Sequence, residues 1–188
     1  MTVLMVSCGA KKENTKNMTL PVNEKQVAAV AAIACHEAQG DQSSLAVALN
    51  EGFDAGLTVS QAKEILSQLY AYTGFPRSLN ALGTLQKVLE QRQTGGKTTL
   101  EGVDASPLPS DYDVLKQGTE VQTQVTGQPF DYNFCPIEDY YLKVHLFGDI
   151  FARDVLTHAD REVVTVSALS GLENVIPQPP YTIVSIYK

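Results

Sequence analysis

Between residues 24 and 92 apolar side chains return every three or four positions, the period of a helix face rather than a strand. In the segment 24–39, Val27, Val30, Ala31 and Ala34 fall at i, i+3, i+4 and i+7, so that face is expected to be buried. A second helix over about 42–55 ends at Gly56, the residue type that most easily adopts the left-handed conformation past a helix C-terminus. Thr58-Val59-Ser60-Gln61 has the form of a capping box, and Ala62, Ile65, Leu66 and Leu69 follow as an apolar stripe. This third helix stops near Thr73-Gly74. Pro76, pre-set for the first helical turn, opens a fourth whose Leu79, Leu82, Leu85 and Leu89 are expected to face inward.

From Thr94 to Asn133 the periodicity disappears and Gly, Pro, Thr, Ser and Asp dominate, which predicts a loop of about 40 residues acting as a wrapping arm or lid. Helical spacing returns at Pro136, with Ile137, Tyr140, Tyr141, Val144, Gly148 and Phe151 on one face. A last helix over about 158–172 is capped by Thr157. The alternation from Tyr181 to Tyr187 is the one strand-like stretch. Residues 25–33 and 161–169 align as two copies of a small-residue apolar helix led by a basic residue, an internal repeat. The residues therefore predict an all-α protein organised as 1–22, 23–92, a long loop 93–135, 136–178, and a tail 179–188.

Composition narrows the function. The 188 residues are 44% hydrophobic and 19% charged, the balance of an ordinary globular domain. A net charge of −7 leaves no basic excess to displace counterions from a phosphate backbone, which argues against nucleic acid as a partner. Cys8, Cys35 and Cys135 include no C-x-x-C pair, so neither a zinc site nor a disulfide framework is indicated, and no cofactor is implied. At the N-terminus, Leu4-Met5-Val6-Ser7-Cys8-Gly9, followed by a polar tether, resembles the lipobox of a bacterial lipoprotein. That resemblance implies lipidation at Cys8, a cell-envelope location facing the periplasm, and membrane association through the lipid anchor alone.

Asn50-Glu51-Gly52-Phe53-Asp54-Ala55-Gly56-Leu57-Thr58 and the run from Leu66 through Tyr70, Tyr72, Gly74, Phe75, Pro76, Arg77 and Asn80 to Leu82 resemble the core of the carboxymuconolactone decarboxylase family. The stretch from His145 to Arg153, with Asp160-Arg161-Glu162, resembles the start of a second repeat of that family. The resemblance covers 23–92 and 137–178 and implies a helical bundle of the carboxymuconolactone decarboxylase or alkylhydroperoxidase-D-like type, one full repeat plus part of a second. It also implies a homo-oligomer and decarboxylation of a small carboxylated lactone. Related members use a C-x-x-C-x-x-x-H motif as a redox dithiol. Here those positions fall on Asp41, Ser44 and Ala48, and without a thiolate to attack or a thiol to resolve, dithiol peroxidase chemistry is excluded at that place. Gln26 replaces the family's leading glutamate in the first repeat, whereas Glu162 keeps it in the second. After Pro177-Gln178 the chain turns to Pro179-Pro180-Tyr181 in place of a histidine-bearing helix, which reads as truncation or a shifted frame.

Three groups of residues are candidates for chemistry. Tyr141, His145 and Asp149 are spaced i, i+4, i+8 on one helix; an Asp one turn from an imidazole can fix its tautomer and raise its basicity, while the competing pairing is Asp149 with Arg153, also at i+4. Glu162 reads either as a buried proton donor or as a solvated acid complementing a helix dipole. Arg77, Asn80 and Tyr70 meet at a helix–helix turn, where Arg77 either clamps a substrate carboxylate or caps the carbonyls ending the third helix. The resulting expectation is a lyase acting on a small-molecule carboxylate, with Arg77 binding, His145 and Asp149 as base and Glu162 as acid. The competing expectations are a non-catalytic binding or structural relative and, behind it, a peroxiredoxin-type antioxidant protein. Homo-oligomerisation is further expected from Val163, Val166 and Leu169, an apolar stripe that the incomplete second repeat leaves without cover.

Overall fold

In a computed structural model, residues 22–173 and 175 are described, and among them the chain is all-α with no strand. Cys8, the tether before Val22 and the alternating tail 181–187 lie outside the described residues. Helices α1 (Glu24–Gln39), α2 (Gln42–Asp54), α3 (Val59–Thr73) and α4 (Phe75–Thr94) follow one another through short turns, as the spacing predicts. Local chemistry sets their ends. Asn23 caps α1 and Thr58 caps α3, each in a reciprocal capping box with the glutamine three residues on. Asp41, at the first position where a dithiol would stand, instead caps α2 by accepting from the Ser43 and Ser44 amides and from the Ser44 hydroxyl.

The last helix, α7 (His158–Gly171), capped by Thr157, packs against α1 and α3. Contacts at both ends show that α1, α3 and α7 run in the same direction: Val22 N–H donates to Asp160, Gly171 sits against Cys35, Glu64 meets Arg161 and Tyr72 meets Thr165. Helices α2 and α4 run together the other way, tied by Thr84 to Gln42 and by Arg92 to Asn50 and Asp54. Between these layers lies the main core, built from Val30, Ile33, Leu45, Leu49, Ile65, Leu66, Leu69, Leu85 and Val164 among others. The α3 stripe of Ala62, Ile65, Leu66 and Leu69 is fully buried, as expected.

Several inward faces are rotated from the sequence expectation. Val27 is 37% exposed, because the buried face of α1 runs through Gln26, Ala29, Val30, Ile33 and Glu37. Leu79 is 61% exposed, and Leu82 and Leu89 are only partly buried. The inner face of α4 is Ser78, Ala81, Leu85, Val88 and Arg92, with both polar ends satisfied internally: Ser78 Oγ donates to the Leu66 carbonyl, and Arg92 reaches Asn50, Asp54 and Thr99. On α7, Val163 packs against the core and Val166 and Leu169 are half-buried, so the stripe expected to need a second chain is not bare.

The expected loop 93–135 is not a loop throughout. Helix α5 (Val114–Thr126), capped by Asp113 and closed by left-handed Gly127, occupies its middle. It packs on the segment after Pro136, which begins as α6 (Pro136–Tyr141) and continues as a π-helix over Leu142–Ile150. Of the face expected to be buried, Gly148 and Phe151 are inside, whereas Ile137, Tyr140 and Tyr141, all on α6, are exposed; within the wider π turn Lys143, Phe147 and Ile150 also point inward. Val125, Phe147, Ile150 and Phe151 form a second, smaller core against Tyr70, Val121 and Leu146. The buried Lys143 ammonium anchors the preceding loop by hydrogen bonds to Asp131 and Asp139. Burial works to lower its pKa, but those two carboxylates outweigh burial and hold it above the ordinary range.

Candidate active site

A cleft of about 500 Å³ opens where the π-helix faces α3. Glu64, Ser67, Gln68 and Tyr70 of α3 form one wall, His145, Asp149 and Ile150 of the π-helix form another, and Arg153 and the loop 105–108 complete it. The side chains of His145 and Asp149 are about half exposed, so both are open to a ligand from solution.

The dyad forms as the spacing suggests. His145 Nδ1 lies 3.0 Å from an Asp149 carboxylate oxygen. With the carboxylate ionised, Nδ1 carries the shared proton and Nε2 is left as the basic nitrogen. The competing pairing of Asp149 with Arg153 is absent. Arg153 turns to α3 and grips Glu64 in bidentate fashion, Nε at 2.8 and 3.1 Å and Nη2 at 2.6 Å. Glu64 is shared with fully buried Arg161, whose Nη2 lies 3.0 Å away. Two guanidiniums thus share one carboxylate, and the triad alone carries one surplus positive charge beside the cleft. Asp104 and Asp154 also lie close enough to act on Arg153 electrostatically. Gln68 completes the buried network, donating to the Arg161 carbonyl and Thr165 Oγ1 and accepting from Arg161 Nη1.

Tyr70 lines the cleft. Its ring stacks on Phe75 at 4.5 Å and lies 5.5 Å from the imidazole of His145. Arg77 and Asn80 do not line the cleft. Arg77 Nη1 donates to the Ala38 carbonyl at 2.7 Å, so it caps the end of α1 rather than that of α3, and Asn80 is exposed on α4. Tyr141 is 56% exposed and also outside the cleft lining.

Glu162 is apart from the cleft as well. It is 3% exposed, its Oε2 has no hydrogen-bond partner, and burial pushes its carboxyl up to about 7. Glu37, buried on α1, is raised by the same cause, partly opposed by the hydrogen bond from Thr73 and by nearby Arg77. Of the two readings of Glu162 from sequence, the solvated acid is overturned and the buried carboxylate with a raised pKa is what the structure shows, although it does not line the cleft. The residues that sequence reasoning missed, Glu64, Gln68 and the wall 105–108, find their partners over sequence separations of 48 to 97. Arg153 entered the sequence reading only as a competitor for Asp149.

The fold and cleft together define an all-α bundle with a solvent-open site that combines a His-Asp pair, a carboxylate-held guanidinium and an aromatic wall. No protein-family model matches the chain, and no curated protein matches it.

Proposed function

We propose that this cleft is the active site of a lyase that decarboxylates a small carboxylated lactone or a related acid, as the resemblance to carboxymuconolactone decarboxylases implies. The observation that carries the reading is the His145-Asp149 pair opposite Arg153 in one cleft. Arg153, rather than Arg77, takes the substrate's anionic group, since its guanidinium lines the cleft and is oriented by Glu64. In the reaction the bond between the carboxyl group and its neighbouring carbon breaks, carbon dioxide leaves, and the electron pair passes to a conjugated carbonyl oxygen. A proton must then reach carbon. Nε2 of His145 takes a proton from water, Asp149 stabilises the imidazolium so formed, and the imidazolium delivers that proton to carbon and returns to the neutral base. Tyr70, Ile150 and Leu108 give the substrate an apolar wall. Glu162 is left out, because it does not line the cleft.

The test is release of carbon dioxide from a panel of small carboxylated lactones and 3-oxo acids. Replacing His145 by Asn should lower kcat by about 10²- to 10⁴-fold, the usual contribution of a positioned acid-base group. A panel that yields no carbon dioxide, or a His145→Asn variant as active as the parent, would refute the assignment.

A further inference from the structure

We infer that Tyr112 is a positioning residue for the His145-Asp149 pair, acting through the peptide that carries Asp149; the inference rests on that pair being the functional acid-base group. Tyr112 lies at the junction between the cleft wall 105–108 and α5, in a turn closed by its own N–H to the Pro109 carbonyl. Its phenol crosses to the π-helix and donates to the Gly148 carbonyl at 2.8 Å. Gly148 is in the last turn of that helix, where carbonyls run out of backbone donors, so the phenol supplies what the helix end lacks. The next residue is Asp149. Burial, and after it the Asp149 charge, raises the Tyr112 phenol above its ordinary range, which places the carboxylate near the hydroxyl and keeps the hydroxyl protonated as a donor.

The backbone around this bond has little freedom. A Cβ at Gly148 would fall 2.6 Å from the Val114 carbonyl oxygen, and one at Gly118 would fall 1.8 Å from that of Lys143. The two glycines let α5 press directly on the π-helix at both ends of the turn that bears His145. Tyr112 provides the polar bond in the same contact. Because π turns are uncommon and costly to maintain, the angle at which Asp149 meets the imidazole depends on what grips that turn from outside. The Gly148 carbonyl is the gripped atom nearest Asp149 in the chain.

Tautomer populations of His145 test this without any substrate. In the ¹⁵N-labelled full chain at pH 8, long-range proton-nitrogen correlation, assigned with His145→Asn, should show the Nδ1–H form alone in the parent protein. Tyr112→Phe keeps the ring and removes one oxygen; it should bring the Nε2–H form, absent in the parent, to at least a fifth of the neutral imidazole while the far-ultraviolet circular dichroism stays unchanged. Asp149→Asn should give mixed tautomers by itself, and adding Tyr112→Phe to it should produce no further change. Tautomers unaltered by Tyr112→Phe in a protein whose parent form is wholly Nδ1–H overturn this inference and leave the active-site reading standing. Mixed tautomers in the parent protein overturn both. Failure to find a decarboxylation substrate would count against the proposed reaction alone, since the populations are read without one.

Discussion

Replacing Glu162 by glutamine should stabilise this protein, and by more at alkaline pH than at acid pH. The carboxyl is 3% exposed, one of its oxygens has no hydrogen-bond partner, and its pKa rises from an ordinary 4.5 to about 7 in the folded state. Below the unfolded value both states hold the proton and the group does not discriminate between them. As pH rises past that value the unfolded chain ionises first, so the folded state loses ground, and the loss levels off once pH exceeds the folded value. At about 1.4 kcal/mol per pH decade, the penalty is about 1 kcal/mol at pH 5 and about 3 kcal/mol at pH 8. Glutamine has nearly the same shape and no charge to bury, so the variant escapes the pH-dependent part. Urea unfolding followed by circular dichroism at the two pH values measures it. The gain should be larger at pH 8 by about 2 kcal/mol; a gain equal at both, or a loss that deepens toward pH 8, would refute the reasoning. Glu37 is raised in the same direction, so some pH dependence should persist in the variant.

Glu64→Gln removes the one negative charge between two guanidiniums and leaves buried Arg161 without its counter-ion, so it should cost about 3–5 kcal/mol in urea unfolding; a cost under 1 kcal/mol, taken as the ~1 kcal/mol ceiling of an exposed pair, would show that the pair is not the support assigned to it. Gly118→Ala drives a methyl into the Lys143 carbonyl and should destabilise by about 1–3 kcal/mol. Amide exchange should then quicken across 114–126 while α3 remains protected; unchanged protection of α5 would contradict the close packing.

The first four helices were legible because α1, α2 and α3 begin at side-chain caps, α4 opens on Pro76, and their apolar spacing holds a helical period. Which face is buried was less legible wherever polar residues are taken inside. Ser78, Arg92, Gln26 and Glu37 occupy inward positions that a hydrophobic pattern assigns to solvent, and this turns α1 and α4 away from Val27 and Leu79. Helix α5 is hidden for another reason: Gly118, three threonines and three valines are residues of poor helix propensity, and it is contact with the π-helix that stabilises it. The π turn itself has a period that helical templates do not contain.

At the site, the His145-Asp149 pair was readable because both residues lie on one helix, four positions apart. The partner of Arg153 was not, since Glu64 is 89 residues away and only the packing of the bundle brings it near. Arg77 drew attention by its neighbours in sequence, yet its guanidinium finds the carbonyl of Ala38, an acceptor that no local pattern specifies.

The central claim is that one cleft joins a carboxylate-binding guanidinium to a basic imidazole. It is tested most directly by titrating the ¹⁵N-labelled protein with a small carboxylated lactone while following the side-chain resonances of His145, Arg153 and Arg77. His145 and Arg153 should shift together along one saturation curve, Arg77 should stay still, and Arg153→Met should abolish the response at His145. Saturation that moves Arg77 and leaves His145 and Arg153 unmoved would contradict it.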